Sequence, residues 1–150
     1  MSQSLARILT HIVFSTKQRE RLLTSAINPS LFAFMTGICR SHNSYVYQIN
    51  GVEDHVHLLA SLSRTISLSD FLRELKGSSS KWLKEQDRSF RSFCWQAGYG
   101  AFSVSEQHRE VVMQYIAEQK ERHATTGFQE EFRRLLQRNN VEYDERYVWD

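Results

Sequence analysis

Proline occurs once in these 150 residues, cysteine twice and glycine six times. A single proline and little glycine argue against a low-complexity or disordered chain. Cys39 and Cys94 lie far apart and form no Cys-x-x-Cys pair, so a disulfide framework or a zinc knuckle is not expected and a reducing compartment is the default. Long apolar runs are missing too. The first, Ile8 to Phe14, is interrupted by Thr10 and His11, which reads as neither signal peptide nor membrane span and leads us to expect a cytoplasmic protein. Charge of one sign is not in large excess, the net value being +2. It is unevenly placed: residues 1–104 carry 12 Lys/Arg against 7 Asp/Glu, and residues 105–150 carry 7 against 10. A polyanion, if bound, would be expected on the first two thirds, although a solvated mixed-charge surface explains the same numbers.

What remains is a composition of 41% hydrophobic and 24% charged residues, enough for one globular domain over 1–150 with its own core. Residues 7–14, rich in β-branched and aromatic types, read as a first strand. The polar loop Ser15 to Arg21 follows, where Lys17, Arg19 and Arg21 are placed either to meet phosphates or simply to be solvated. Asn28 as N-cap and Pro29 in the first turn open a helix that ends near His42. Residues 44–49 alternate as a second strand, and a Gly51 turn leads into a third, so 44–61 reads as a hairpin.

Ser67-x-x-Asp70 resembles a capping box opening a second helix. Gly77-Ser78-Ser79-Ser80 is expected to interrupt that helix. With Lys76 and Lys81 beside them, these small residues either let a nucleic-acid backbone come close or mark a weak helix. Short extended segments surround Gly98. Ser105 is expected to cap a helix over Glu106 to His123, and a last helix runs over Phe128 to Arg138. The order strand, helix, strand, strand, helix, strand is the split βαβ pattern of an α+β, ferredoxin-like (RRM-like) antiparallel sheet with helices on one face, here extended by C-terminal helices.

Within that pattern, Asp54-His55-Val56-His57-Leu58-Leu59 alternates as a strand, so both imidazoles project from one face. Two such nitrogens form half of a divalent-metal site and need a further ligand from elsewhere; two sheet-surface histidines are the plainer alternative. The first and third strands are central in this topology, which puts His55 and His57 mid-sheet on the open face, away from the packing helices. Tyr115 and Gln119 stand one helical turn apart. Each alone reads as an ordinary helix residue, as do His108 and His123, taken as exposed. His11 is expected beside the site without being a ligand. Trp95, Tyr99 and Phe102 are candidates to stack on unpaired bases, with core packing or a dimer interface the plainer reading of at least two of them.

His55-Val56-His57 followed by Tyr115-Ile116-Ala117-Glu118-Gln119 resembles the single-tyrosine HUH transposases of short bacterial insertion sequences and their REP-associated relatives. The resemblance extends to His11 to Lys17, to Gly77 to Ser80, to Trp95 to Phe102 and to the tail from Tyr143 to Trp149. It implies an enzyme dependent on Mg²⁺ or Mn²⁺ that cuts and rejoins single-stranded DNA, with hairpin-bearing element ends as partner. It also implies a homodimer in which the tyrosine helix of one subunit can complete the histidine pair of the other. By resemblance, His55, His57 and Gln119 are the metal ligands and Tyr115 is the nucleophile, forming a 5′-phosphotyrosine link. DNA contacts are expected at Lys17, Arg19, Arg21, Lys76, Ser78 and Lys81. Two other functions stand beside this one: a domesticated, non-catalytic nucleic-acid-binding protein, and a metal-dependent phosphodiesterase that uses water.

Overall fold

The computed structural model describes residues 1–150. Four strands, β1 (Leu9–Ser15), β2 (Tyr45–Gly51), β3 (His55–Ser61) and β4 (Gly100–Val104), form one antiparallel sheet in the order β2-β3-β1-β4. The two central strands are β1 and β3, as the split βαβ pattern requires, and their pairing sets Val13 opposite His57 and Ser15 opposite His55. Gly51 closes the β2–β3 hairpin where a Cβ would stand 2.4 Å from the His55 carbonyl oxygen, so no larger residue fits that turn.

Alternation along the central strands divides the apolar packing between the two faces of the sheet. Ile12 and Phe14 of β1 and Val56, Leu58 and Ala60 of β3 point to one face and pack under α1 (Asn28–Ser41) and α2 (Leu68–Gln86) in a cluster with Leu31, Met35, Leu72 and Leu75. The opposite face carries His11, Val13, His55, His57 and Leu59. It is covered by α3 (Arg109–Ala117), α4 (Gln119–Arg122) and α5 (Phe128–Arg138): Leu9 and Leu59 pack on Ile116, while Val13 and Phe102 pack on Phe128, Phe132, Leu135 and Leu136. The expectation that the histidines lie on an open face is therefore corrected. The C-terminal helices form a second layer over them, because Phe128, Phe132, Leu135 and Leu136 make an apolar stripe at helical spacing that buries against Val13 and Phe102.

Several local expectations change for definable reasons. Helix α2 runs unbroken through Gly77 to Ser80: Ser79 is buried, its hydroxyl donates to Leu75 O at 2.7 Å, and it accepts the Trp95 indole N–H at 3.0 Å, so an internal polar partner replaces the predicted break. Ser67 caps this helix as expected, its hydroxyl accepting from Asp70 N at 3.1 Å. Asn28 lies inside α1 rather than capping it. The predicted helix over 106–123 is three pieces, a 3-10 turn at Glu106–His108, then α3, then α4 beyond a break at Glu118. Ser105 makes no cap hydrogen bond and instead meets His108 Nδ1 at 3.0 Å.

Candidate active site

Seven side chains from six elements or connections converge on the histidine face: His11, His55, His57, Tyr115, Gln119, His123 and Glu131. His55 and His57 are fully buried, as is Gln119. The Nε2 atoms of three imidazoles meet one oxygen, Glu131 Oε1, at 3.3 Å from His55, 3.0 Å from His57 and 3.1 Å from His123. The other oxygen, Oε2, accepts from the Tyr115 hydroxyl and from Gln119 Nε2. Gln119 Oε1 in turn lies 3.3 Å from His55 Nε2 and 3.0 Å from His123 Nε2. One chain thus brings together all four residues expected from the sequence, the histidine pair, the tyrosine and the glutamine.

The break at Glu118 is part of this geometry. Asn50, next to the hairpin turn, donates from Nδ2 to Ile116 O at 3.0 Å and Ala117 O at 3.1 Å. These carbonyls lie at the end of α3, where the regular helical hydrogen bonds run out. Anchoring them to β2 fixes the end of the tyrosine helix over the sheet, and α4 restarts with Gln119 turned inward.

Two contacts orient the histidines from behind. Asp54 Oδ1 holds His55 Nδ1 at 2.6 Å, and His11 Nε2 holds His57 Nδ1 at 2.9 Å, which leaves both Nε2 atoms aimed at the cluster centre. A hydrogen bond on one ring nitrogen selects the tautomer that frees the other, the usual support of a metal-ligating imidazole. His11 is beside the site and stacks on His57 with ring centroids 5.1 Å apart, as expected for a neighbour that is not a ligand.

Burial would lower the His55 pKa, yet the carboxylates of Asp54 and Glu131 hold it up at about 9. His57, with no carboxylate on its second nitrogen, is pulled down by burial despite Glu131, and burial takes His11 down to about 3. Burial would raise the Glu131 carboxyl, but hydrogen bonds from His123, His55 and His57 outweigh it and keep the group ionised. Burial raises the Tyr115 phenol, and the Glu131 charge raises it further. A phenol of pKa ≈ 10 is already a weak nucleophile at neutral pH, and this setting makes the Tyr115 phenol a weaker one still unless a cation offsets the charge.

The donor set suits one. Imidazole nitrogens of His55, His57 and His123 and a carboxylate oxygen of Glu131 all lie within 4.8 Å of one another, with the Gln119 amide oxygen beside them. Nitrogen and oxygen donors without thiolate favour an oxygen-tolerant divalent ion over a closed thiolate zinc site.

Two of these residues escaped the sequence reading. His123 was expected to be exposed; its side chain is 9% exposed and bound to Glu131. Glu131 belongs to none of the motifs described above. The signal was present: Phe128, Glu131, Phe132 and Leu135 share one face of α5, and a carboxylate within an apolar stripe demands a buried partner.

The expected DNA contacts do not gather here. Lys76, Ser78 and Lys81 lie on α2, across the sheet from the histidines. Lys76 is engaged internally, donating to Ala97 O at 3.1 Å and Gly98 O at 2.9 Å. Lys17 and Arg21 are exposed, and the Arg19 guanidinium sits 5.6 Å from the centre of the Trp149 ring. Of the stacking candidates, Trp95 and Phe102 are core residues and Tyr99 is 36% exposed.

Comparison with known proteins gives consistent results. Residues 4–119 match the family described as transposase, IS200 like. The chain is 25% identical over 117 residues to the ISDra2 transposase TnpA of Deinococcus radiodurans, covering 75% of this chain and 84% of that one. It is 30% identical over 117 residues to the transposase for insertion sequence element IS200 of Salmonella typhimurium, covering 74% and 76%. Among solved structures, a transposase from Deinococcus radiodurans superposes with a TM-score of 0.62 at 23% identity, covering 79% of this chain and 98% of that one. A REP-associated tyrosine transposase bound to a REP hairpin gives 0.61 at 14% identity, covering 84% and 76%.

Proposed function

The chain belongs to the IS200-like transposases, enzymes that cut and transfer single-stranded DNA, and from that premise we propose that Tyr115 is its nucleophile and that His55, His57 and Gln119, joined by Glu131, hold its divalent ion. The observation carrying this reading is the convergence of three imidazole Nε2 atoms, the Glu131 carboxylate and the Tyr115 hydroxyl within one buried cluster. Mg²⁺ or Mn²⁺ fits these donors, and bound there it supplies charge that favours the phenolate and polarises the phosphate.

The protein's own groups do the rest. Asp54 and His11 orient the two strand histidines, and Asn50 fixes the end of the tyrosine helix. Attack of the Tyr115 oxygen on phosphorus breaks a backbone P–O bond, leaving a 5′-phosphotyrosine link and a free 3′-hydroxyl. The Tyr115 hydroxyl donates to the Glu131 carboxylate, which orients the phenol; its proton passes to solvent while the departing 3′-oxygen takes one up from water. Because the link conserves the ester, a later hydroxyl can displace the tyrosine without a nucleotide cofactor.

The substrate is proposed to be a hairpin-bearing element end, on the strength of the REP hairpin carried by one structural relative. Lys17, Arg19, Arg21, Ser78 and Lys81 are proposed to contact it away from the cut. We place the protein in the cytoplasm, acting as one domain over 1–150 and as a homodimer. That Tyr115 and Gln119 already meet His55 and His57 in a single chain supports completion of each site within its own subunit. No helix is long and apolar enough to cross a membrane.

A labelled single-stranded oligonucleotide bearing the element end, incubated with the protein and Mn²⁺, tests the reading. Wild type is expected to form a covalent adduct stable to denaturation, and Tyr115→Phe none. An adduct that survives Tyr115→Phe would sink it, and a cut without adduct would favour water as nucleophile.

A further inference from the structure

Two cavities meet at Tyr115, and they differ in chemistry. One, of about 190 Å³, is lined by Tyr115 and Glu131 together with Arg122, Thr125, Thr126, Arg134 and Arg138. The other, of about 390 Å³, is walled by Phe102, Val104, Val111 and Val112. Tyr115, Leu135 and Arg138 line both. Arg122 stands over the phenol ring at 4.3 Å from its centre while paired to Glu118 at 3.2 Å. Arg134 is paired to Glu130 at 2.6 Å. Arg138 is exposed, forms no ion pair, and sits where the two cavities join.

Guanidinium groups beside threonine hydroxyls are phosphate chemistry. A groove with valine walls, bordered by the Tyr115 ring and by polar side chains such as His108 and Asn139, is nucleobase chemistry. A nucleophile that must reach phosphorus between two nucleotides needs both, one on each side. We propose that the substrate strand crosses Tyr115 between these cavities, its backbone phosphates held by Arg122, Arg134 and Arg138, and the unpaired base next to the cut seated in the groove beside Val111 and the Tyr115 ring. This rests on the single-strand cutting proposed above and adds the path of the strand. It also moves the nearest DNA contacts from the basic loop after β1 to the corner between α4 and α5.

Charge complementarity favours a nucleotide over a second protein copy as occupant, because the groove ends on an unpaired arginine. The side chain of Val111 can be changed without touching the core, the residue being 65% exposed.

The test is equilibrium binding without divalent ion, so that nothing is cut. The probes are a twelve-nucleotide oligothymidylate and the same backbone made abasic. Wild type is expected to bind the strand with bases about ten-fold tighter, and Val111→Glu to erase that preference. Arg138→Gln is expected to weaken both strands alike and to make the slope of log K against log salt shallower by about 0.7, the amount for one phosphate fewer neutralised on a single strand. Arg40→Gln, on α1 across the sheet, should change nothing. Equal binding of the two strands by wild type, or an unchanged salt slope in Arg138→Gln, overturns the proposal. A Val111→Glu variant that keeps the base preference but dissociates a dimer in sedimentation also overturns it, assigning the groove to a second copy. If the expected binding is found while wild type and Mn²⁺ give no adduct on the element end, the strand path stands and the proposed reaction falls; if an adduct forms while the variants bind as wild type does, the reaction stands and the strand path falls.

Discussion

A buried carboxylate bound by three imidazoles, a phenol and an amide sets the character of this protein at the level of single residues. Glu131 offsets the desolvation of the histidines around it, and they offset its own. Asp54 does the same from outside the cluster for His55 alone. Asp54→Ala is therefore expected to lower Mn²⁺ affinity by about 10- to 100-fold in a calorimetric titration, and to lower the thermal midpoint as well because buried His55 loses that partner; unchanged affinity would strip Asp54 of its positioning role. Lys76 offers a test of pH dependence away from the site. Burial brings its pKa from 10.5 down to about 8. The unfolded chain then binds more protons than the folded one between those values, so stability rises as pH climbs from about 8 to 10.5 and is at its lowest from this source below 8. Denaturation across that range should show this rise in wild type, and Lys76→Met should flatten it.

How far these residues could be read from sequence depends on what each needs to be noticed. The His55-Val56-His57 alternation and the one-turn step from Tyr115 to Gln119 are local patterns, so they survive folding intact. Glu131 and His123 derive their meaning from a helix docking over a sheet, and spacing within α5 cannot say what its apolar stripe will face. Ser79 is a similar case: in isolation it weakens a helix, and only the indole of Trp95, sixteen residues on, turns it into a buried anchor.

At the level of elements, the docking of α5 decides the site, and it depends on one glycine. A Cβ on Gly100 of β4 would lie 2.5 Å from Phe132 Cε2, one residue from Glu131. Gly100→Ala must displace that ring, which helps seat α5 on the sheet. We expect a loss of about 1–3 kcal/mol in chemical denaturation together with weaker Mn²⁺ binding; full retention of both would show that the ring yields without moving the helix. Phe132→Ala empties the same space and should cost about 3–5 kcal/mol. Order along the chain was readable at this scale, with the central strands and α5 where the pattern put them. The stacking of a second layer was not, since the two faces of a central strand look alike when both are apolar or aromatic.

For the whole molecule, the question is whether one chain suffices. With Tyr115, Gln119 and the histidine pair assembled together, a mixture of Tyr115→Phe and His57→Ala chains should form no adduct. Recovery of activity on mixing would show that subunits share sites. The family match ends at residue 119, yet His123 and Glu131 lie beyond it, so the part of the chain outside the matched region closes the centre.

That closed polar centre also bears on how such a gene ages. Histidines, a glutamine and a glutamate buried against Leu9, Leu59 and Phe128 contribute less to folding than well-packed apolar side chains of the same size would. While the enzyme moves DNA, chemistry keeps them. In a copy released from that task, substitutions to leucine or phenylalanine on this one face would raise stability, so the face under α5 is where the loss of mobility would first be written into the sequence.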